Sequence, residues 1–369
     1  MDRRYEALWQ RAVSGEAGTG MSALRGAFSV ASGLYGLGVW LDQGAYDLGL
    51  RKARRLPVPV IGVGNLAVGG TGKTPLTMAV VRALKHLGLP AGVISRGYGR
   101  KESAPLLVGD GKNIFADSAR AGDEPVLLAR WSGAPVAVGA SRYAAGRLLL
   151  ERCGPRVLVG DDLFQHRCLR RDLNLLTLDA NDPLAGGRLL PRGRLREPAS
   201  ALARADAVVL TRAASEEQAQ EARERLAWRL GHKPVLSCGH VITGMDEATG
   251  QGPQPEDWQG APVLAFCGLA NPESFRAALS DAGLTVLELK SFGDHHRFSP
   301  EEIARLWARA ATLSARALVC SAKDAVRLPA ELPPDAAIWS TRLGLKFYQG
   351  PHALAGLVSR SLAGWEPAS

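Results

Sequence analysis

The turn Gly69-Gly70-Thr71-Gly72-Lys73-Thr74 stands between an apolar, β-branched run at 58–63 and an amphipathic run at 75–87. A strand that restarts as a helix through such a turn is the context a phosphate-binding loop requires. Glycines let the backbone come close, and the new helix offers N–H groups with no partner within the helix. In that geometry the N–H groups of Gly69, Gly70, Thr71 and Gly72 cradle phosphates, Lys73 reaches the outer ones, and the Thr74 hydroxyl ligates Mg2+. The strict spacing has glycine five positions before Gly72, where this chain has Ala67, so a variant entry through Gly64 and Asn65 is expected. A glycine turn that only packs helix on strand is disfavoured by the Gly-Lys-Thr ending.

Beyond residue 56, apolar runs alternate with amphipathic ones, which predicts a parallel sheet. Strands are expected at 58–63, 91–95, 135–138, 157–159, 173–179 and 207–210, with helices at 75–87, 123–130, 140–151 and 215–230. Residues 245–260 shift to Gly, Pro, Gln, Asp and Glu, the composition of a loop. After it the pattern resumes, with strands at 263–267, 285–289, 317–321 and 337–340 and helices at 272–282 and 300–313. The predicted fold class is α/β: a P-loop NTPase-like parallel-sheet sandwich with a second, smaller α/β domain. The expected segments are an N-terminal stretch at 1–55, a core at 56–233, a linker at 234–260 and a C-terminal domain at 261–369.

A length of 369 residues accommodates two such domains. The 45 basic residues exceed the 36 acidic ones by nine, so polyanions such as nucleic acid, phosphorylated substrates or anionic lipid headgroups are attracted. A nucleic-acid module ranks last, because no recognition helix, aromatic RNA platform or zinc motif accompanies the charge. Five scattered cysteines without C-x-x-C spacing suggest neither a disulfide framework nor a zinc site and fit a reducing compartment.

No signal peptide is read at the N-terminus. An uncharged stretch at 26–41 would reach only about 24 Å as a helix, short of the roughly 30 Å of hydrocarbon. With Tyr35, Trp40, Tyr46 and the basic run Arg51, Lys52, Arg54 and Arg55, it suits a segment lying in a membrane interface. A helix packed on the protein's own core is the alternative.

The expected strand at 157–159 runs into Gly160-Asp161-Asp162, at a strand end beside the phosphate loop where carboxylates meet a Mg2+ shell. A cation between the two would relieve their repulsion. Gln165, His166 and Arg167 follow, an amide, an imidazole and a guanidinium suited to sugar hydroxyls and an anion, although a lone histidine is as often structural. Asp123 and Glu124 open a predicted helix, where they either cap it or supply a base for an attacking hydroxyl. Asp294, His295 and His296 lie between a strand and a helix, and an orienting or acid/base role is preferred there to metal binding.

One ordered set joins these signals. It comprises Val63-Gly64-Asn65-Leu66 leading into residues 69–75, Ser95-Arg96-Gly97-Tyr98-Gly99, Gly122-Asp123-Glu124-Pro125, Asp161-Asp162 with Gln165-His166-Arg167, and Leu190-Pro191 with Leu195-Arg196-Glu197-Pro198. Gly268-Leu269-Ala270-Asn271-Pro272, Asp294-His295-His296 and Lys323-Asp324-Ala325-Val326 complete it. The set resembles the tetraacyldisaccharide 4'-kinase family of lipid A biosynthesis, from about residue 34 onward. The chain departs from that pattern at Ser321-Ala322, where the family usually has Thr-Glu, and at Leu163, where it usually has glycine.

The resemblance implies transfer of the ATP γ-phosphoryl group to the 4'-hydroxyl of a tetraacylated glucosamine disaccharide 1-phosphate. The implied setting is peripheral, at the cytoplasmic face of a Gram-negative inner membrane, with no obligate protein partner and no nucleic acid. Lys73 and Thr74 would hold ATP and Mg2+, with Glu124 and Asp162 supporting the metal. Asp123 becomes the base, assisted by His295, and Arg96, Tyr98, Gln165, His166 and Arg196 would line the disaccharide site. An acylated acceptor also turns 1–55 into an amphipathic membrane-interface segment. The rival reading is a membrane-associated P-loop NTPase acting as a regulatory switch; it leaves Gln165, His166 and the Asp294-His295 loop unexplained, and no guanine-reading Asn-Lys-x-Asp motif is present.

Overall fold

The computed structural model describes residues 9, 13 and 19–365, except 99, 101–102, 249–256, 270, 294–295 and 330. The chain divides into two compact units, each built from separated stretches. Unit 1 takes Met1–Arg96, Gly139–Gly239 and Phe347–Ser369, and unit 2 takes Gly97–Val138 and His240–Lys346.

Unit 1 is a parallel sheet centred on the strand that feeds the glycine turn. Its strands are β1 (Val60–Asn65), β2 (Ala91–Ser95), β5 (Val157–Gly160), β6 (Leu173–Asp179), β7 (Ala207–Thr211) and the start of β8 (Val235–Glu247), in the order β8-β7-β6-β1-β5-β2. Every residue of β1, β2, β5 and β7 is buried, as expected where helices cover both faces of a parallel sheet. In β1, Ile61 faces Val159 on one side and Leu173 on the other. The crossover helices are α2 (Lys73–His86), α4 (Arg142–Cys153) and α5 (Glu216–Leu230), and α9 (Ala353–Leu362) returns to pack on α2. Serine caps begin α4 and α5: Ser141 accepts from the Ala144 N–H and Ser215 from that of Gln218.

The N-terminal helix α1 (Thr19–Asp47) extends well beyond the uncharged stretch 26–41, yet no helix among the described residues is long and apolar enough to cross a membrane. Its inner side is held by polar contacts. Ser32 Oγ donates to the Leu189 carbonyl at 2.7 Å and accepts from the Arg192 N–H at 3.0 Å, and Tyr35 Oη donates to the Arg196 carbonyl at 2.8 Å. Gln43 donates to Glu197, which also pairs with Arg204 at 2.6 Å, and Asp47 accepts from Arg167 at 2.7 Å. Val30, Leu34, Leu37 and Leu41, spaced along one helical face, stay exposed together with Trp40.

Three residues of the basic run and two of the aromatics predicted for an interface also contact the protein itself. Arg51 pairs with Asp42, Arg54 lies 3.6 Å over the Tyr143 ring, and Arg55 is 3.9 Å from Asp172. Tyr46 lies under the Arg167 guanidinium, and the Tyr35 hydroxyl is committed to Arg196.

In unit 2, β9 (Pro262–Cys267), β10 (Thr285–Ser291), β11 (Ala317–Cys320) and β12 (Ile338–Phe347) follow the order β10-β9-β11-β12, with β12 beside β8. Alternation along β9 divides two cores. Val263, Ala265 and Cys267 join Phe275, Leu279 and Trp339 on one face, while Leu264 and Phe266 join Phe298, Ile303 and Leu306 on the other. Helices α6 (Pro272–Asp281) and α7 (Pro300–Thr312) cover these faces. Ser299 and Glu302 close a reciprocal capping box at the start of α7, with Pro300 in its first turn. Unit 2 also contains α3 (Asp123–Trp131), the short α8 (Ala322–Ala325), and the antiparallel pair β3 (Leu106–Asp110) and β4 (Pro135–Val138).

Two features differ from the linear segmentation expected above. Residues 97–138 belong with unit 2 and residues 347–369 with unit 1. Within the expected linker 234–260, β8 occupies Val235–Glu247, and residues 249–256 lie outside the described set. A polar composition marked the later part of that stretch as loop, whereas Leu236, Cys238 and Met245 are buried members of a long strand.

Candidate functional site

The glycine turn of unit 1 takes the conformation its residues predict. Gly69 and Gly72 have φ of 105° and 75°, the left-handed region where only glycine is unstrained, and Gly72 is the N-cap of α2. Thr71 and Thr74 are buried and Gly70 is exposed. Ala67 explains the departure from the strict spacing: it bridges Leu195 in extended pairing and shows no positive φ, so glycine is not needed there.

Behind the loop runs a chain of buried hydrogen bonds. Asn65 Nδ2 donates to Thr71 Oγ1 at 2.8 Å, Thr71 Oγ1 meets Thr177 Oγ1 at 3.0 Å, and Thr177 Oγ1 donates to the Gly64 carbonyl at 3.1 Å. Thr211 Oγ1 donates to the Thr71 carbonyl at 3.0 Å, and Arg212 reaches the Gly70 carbonyl at 3.0 Å and Asp179 at 3.1 Å. The Thr177 and Thr211 hydroxyls belong to β6 and β7, so neighbouring strands fix the loop from behind. Thr177, Thr211 and Arg212 were not singled out from the sequence, because threonines in a strand carry no motif until the sheet order is known.

The two carboxylates that end β5 have separate tasks. Asp161 is wholly buried and accepts from Thr77 Oγ1 of α2 at 3.0 Å, which ties the strand to the phosphate-loop helix. Asp162, at a φ of 52°, turns the other way: its Oδ1 lies 3.7 Å from Lys73 Nζ, and both oxygens accept from Arg196 at 3.0 Å. The two carboxylates therefore face different protein partners. Burial opposes the charge on Asp162, but Lys73, then Arg196 and Arg142, outweigh it and hold the carboxyl below its usual range. Leu163, in place of the family's glycine, is buried against Gly160, where an added Cβ would come within 2.2 Å of it.

Arg142, at the first turn of α4, is another residue the sequence reading missed. It is 6% exposed, donates to the Ala140 carbonyl at 3.0 Å, and has a buried Nε without a partner among the described residues. Burial, then repulsion from Arg96, lowers its pKa, while Asp162 opposes the shift. One Asp162 carboxylate cannot neutralise Lys73, Arg196 and Arg142 together, so this surface carries surplus positive charge suited to a polyphosphate.

Of the remaining predicted residues in unit 1, His166 is kept neutral. Burial first, then Arg142, Arg171 and Arg96, lower its pKa to about 4, and its Nε2 lies 2.9 Å from Cys168 Sγ. Gln165 donates to the Asn65 carbonyl at 2.8 Å, so part of its amide supports the strand that feeds the loop. Arg96 is exposed at the end of β2. Unit 1 thus brings together residues 69–74, Asp162, Gln165, His166 and Arg196.

Unit 2 carries Asp123 and Glu124 in the first turn of α3, whose N-cap Gly122 has a φ of 90° and would strike the Tyr98 carbonyl if it carried a Cβ. Asp123 Oδ2 accepts from Arg327 Nε at 2.8 Å, and Glu124 lies 3.6 Å from Lys323 Nζ. Tyr98 is 86% exposed. His296 stacks on Phe292 and its Nε2 lies 3.0 Å from Glu302. Asp294 and His295 lie outside the described residues, so the predicted assisting role of His295 has no geometry here. Among the described residues no group of three or more His, Cys, Asp or Glu side chains forms a metal cage, and none of the five cysteines is in a disulfide.

A family profile described as Tetraacyldisaccharide-1-P 4'-kinase matches residues 24–363. A tetraacyldisaccharide 4'-kinase of Geobacter metallireducens is 44% identical over 305 residues, covering 81% of this chain and 87% of the relative. One of Anaeromyxobacter sp. (strain Fw109-5) is 39% identical over 363 residues, covering 97% and 96%. A crystal structure of "apo" form LpxK from Aquifex aeolicus in complex with ATP superposes with a TM-score of 0.74 at 32% identity, over 92% of this chain and 99% of that one. These relatives share the α/β, P-loop NTPase-like fold and do not favour a regulatory switch.

Proposed function

Because this chain belongs to the tetraacyldisaccharide 4'-kinase family, a premise that fixes its reaction, we propose how its residues divide the work. The reaction moves the terminal phosphoryl group of ATP to the 4'-hydroxyl of a tetraacyldisaccharide 1-phosphate: an oxygen–phosphorus bond forms at the sugar, the bond to ADP breaks, and the hydroxyl proton leaves. The observation that carries the proposal is the convergence of Lys73, Arg196 and Asp162 beside a glycine turn already fixed by Asn65, Thr177 and Thr211.

The N–H groups of residues 69–74 receive the phosphates, and Lys73 exchanges its 3.7 Å contact with Asp162 for the outer phosphate oxygens. Once Lys73 turns to ATP and Arg196 to the anionic group of the acceptor, Asp162 and the buried Thr74 hydroxyl would offer hard oxygen donors that fit Mg2+. Mg2+, when bound, supplies charge compensation to the phosphate oxygens. The resemblance gives Glu124 a metal-supporting role; its partner here is Lys323.

Asp123 accepts the proton of the attacking hydroxyl, and His295 assists it. Arg96, Tyr98, Gln165, His166 and Arg196 receive the disaccharide phosphate. Neutral His166 suits a hydroxyl, and Arg96 and Arg196 suit the anionic group. The apolar face of α1 rests in the membrane interface, at the cytoplasmic face of the inner membrane, and its Tyr35 contact with Arg196 joins docking to the acceptor site. Incubation with ATP, Mg2+ and an acylated disaccharide 1-phosphate, followed by mass spectrometry of the lipid, tests the reaction. Gain of one phosphate on the acceptor supports it; phosphate release without a phosphorylated lipid rejects it.

A further inference from the structure

We propose that Arg327 is a positioning residue for Asp123, locked in place by Asp324, and that this is the task of the Ser321–Arg327 segment. The inference rests on the reading of Asp123 as the base. Arg327 has only 2% of its side chain exposed, and a guanidinium at that depth is costly unless carboxylates flank it. Two do: its Nε donates to Asp123 Oδ2 at 2.8 Å, and its Nη1 lies 3.5 Å from Asp324 Oδ1.

Asp324 is a fixed anchor. It is wholly buried, its Oδ1 accepts from the Gly268 N–H at 3.1 Å, and its Oδ2 accepts from Ser321 Oγ at 2.6 Å. Gly268 has no room for a side chain: an added Cβ would meet the Gly293 carbonyl at 2.9 Å and Asp324 Oδ1 at 3.2 Å. The Arg327 N–H also donates to the Asp324 carbonyl at 2.9 Å, which closes the turn that aims the guanidinium. Three motifs that are far apart in sequence thereby converge inside unit 2. The glycine at 268 seats Asp324, Asp324 orients Arg327, and Arg327 holds the carboxylate at the start of α3. Lys323, on the exposed side of the same segment, pairs with neighbouring Glu124.

A planar, five-donor side chain fixes both the distance and the plane of its carboxylate partner, which a lysine does less well. A base displaced by about 1 Å costs on the order of 100-fold in turnover. The test uses full-length protein with ATP, Mg2+ and acylated disaccharide acceptor, and compares Arg327→Met, Arg327→Lys, Asp123→Ala and the Asp123→Ala/Arg327→Met double variant. Arg327→Met should lower kcat by about 10- to 100-fold with both KM values within about twofold, and Arg327→Lys should recover part of the loss. In the Asp123→Ala background, adding Arg327→Met should change the residual rate by less than about twofold, because the group it orients is gone.

Unchanged kcat in Arg327→Met, while Asp123→Ala is inactive, overturns the positioning role and spares the base. The same loss in both backgrounds, or KM values that rise with the loss, makes Arg327 merely structural and also overturns it. Full activity of Asp123→Ala overturns the base reading itself, and this inference with it.

Discussion

The apolar face of α1 offers a quantitative test of membrane docking. Leu34, Leu37 and Leu41 leave 69%, 52% and 57% of their surface uncovered, and none is held by the polar contacts that fix the helix. Cutting leucine to alanine removes about three methylene equivalents, or about 2.4 kcal/mol of transfer free energy for complete immersion. Scaling by the exposed share leaves about 1.4 kcal/mol per leucine, a factor of about ten in partition. The triple variant Leu34→Ala/Leu37→Ala/Leu41→Ala should therefore weaken vesicle binding by at least about 100-fold, allowing for shallow immersion. Alanine favours helix, so α1 should persist, and ATP affinity should stay within about twofold. Excising residues 22–42 would be a blunter experiment, since it also removes Ser32 and Tyr35 from the 189–196 backbone. Co-sedimentation with anionic vesicles gives the partition, and kcat/KM on vesicle-borne against detergent-dispersed acceptor gives the consequence. Partition within about threefold of the parent would refute the reasoning.

Other expectations concern the site itself. Lys73→Ala should weaken ATP binding in calorimetry and abolish transfer, whereas Asp123→Ala should spare nucleotide binding and lower kcat by about 1000-fold; comparable ATP affinity in the two variants would contradict the division of roles. Thr77→Val leaves buried Asp161 without its hydroxyl donor and should cost about 1–3 kcal/mol in denaturant unfolding, with Thr77→Ser close to the parent. Because the fold lowers the His166 pKa from 6.5 to about 4, the unfolded chain binds more protons between those values. This contribution to stability is complete above about pH 6.5 and shrinks as pH falls toward 4. His166→Gln should flatten that acid limb of the unfolding midpoint, and an unchanged limb would refute the assignment.

The strand–turn–helix around residues 69–74 was legible because glycine conformation and helix-end chemistry are local. The helix begins at Lys73, two residues before the expected start at 75, with Gly72 as its N-cap. The opposite duties of Asp161 and Asp162 were not legible, since they depend on which partner lies across the strand end, Thr77 for one and Lys73 with Arg196 for the other. Arg142 and Arg327 escaped for a similar reason. A buried arginine looks like any other in sequence until the carboxylates around it are assembled from distant stretches. The compact units differ from the expected segments because composition marks polar loops, whereas units are defined by which strands and helices pack together. Leu236 and Cys238 pack as core in a stretch expected to link.

Unit 1 is closed by α9, which packs on the phosphate-loop helix although residues 240–346, most of unit 2, intervene before it in the chain. Translation therefore delivers the Gly-Lys-Thr turn long before the helix that covers its neighbour. A nascent chain halted at residue 239 would carry the loop and its strands with one flank of α2 bare, an apolar surface waiting on the ribosome for a later segment. Linear cuts inherit the same defect, so a fragment ending at 239 should need α9 supplied in trans before it holds nucleotide as the intact chain does.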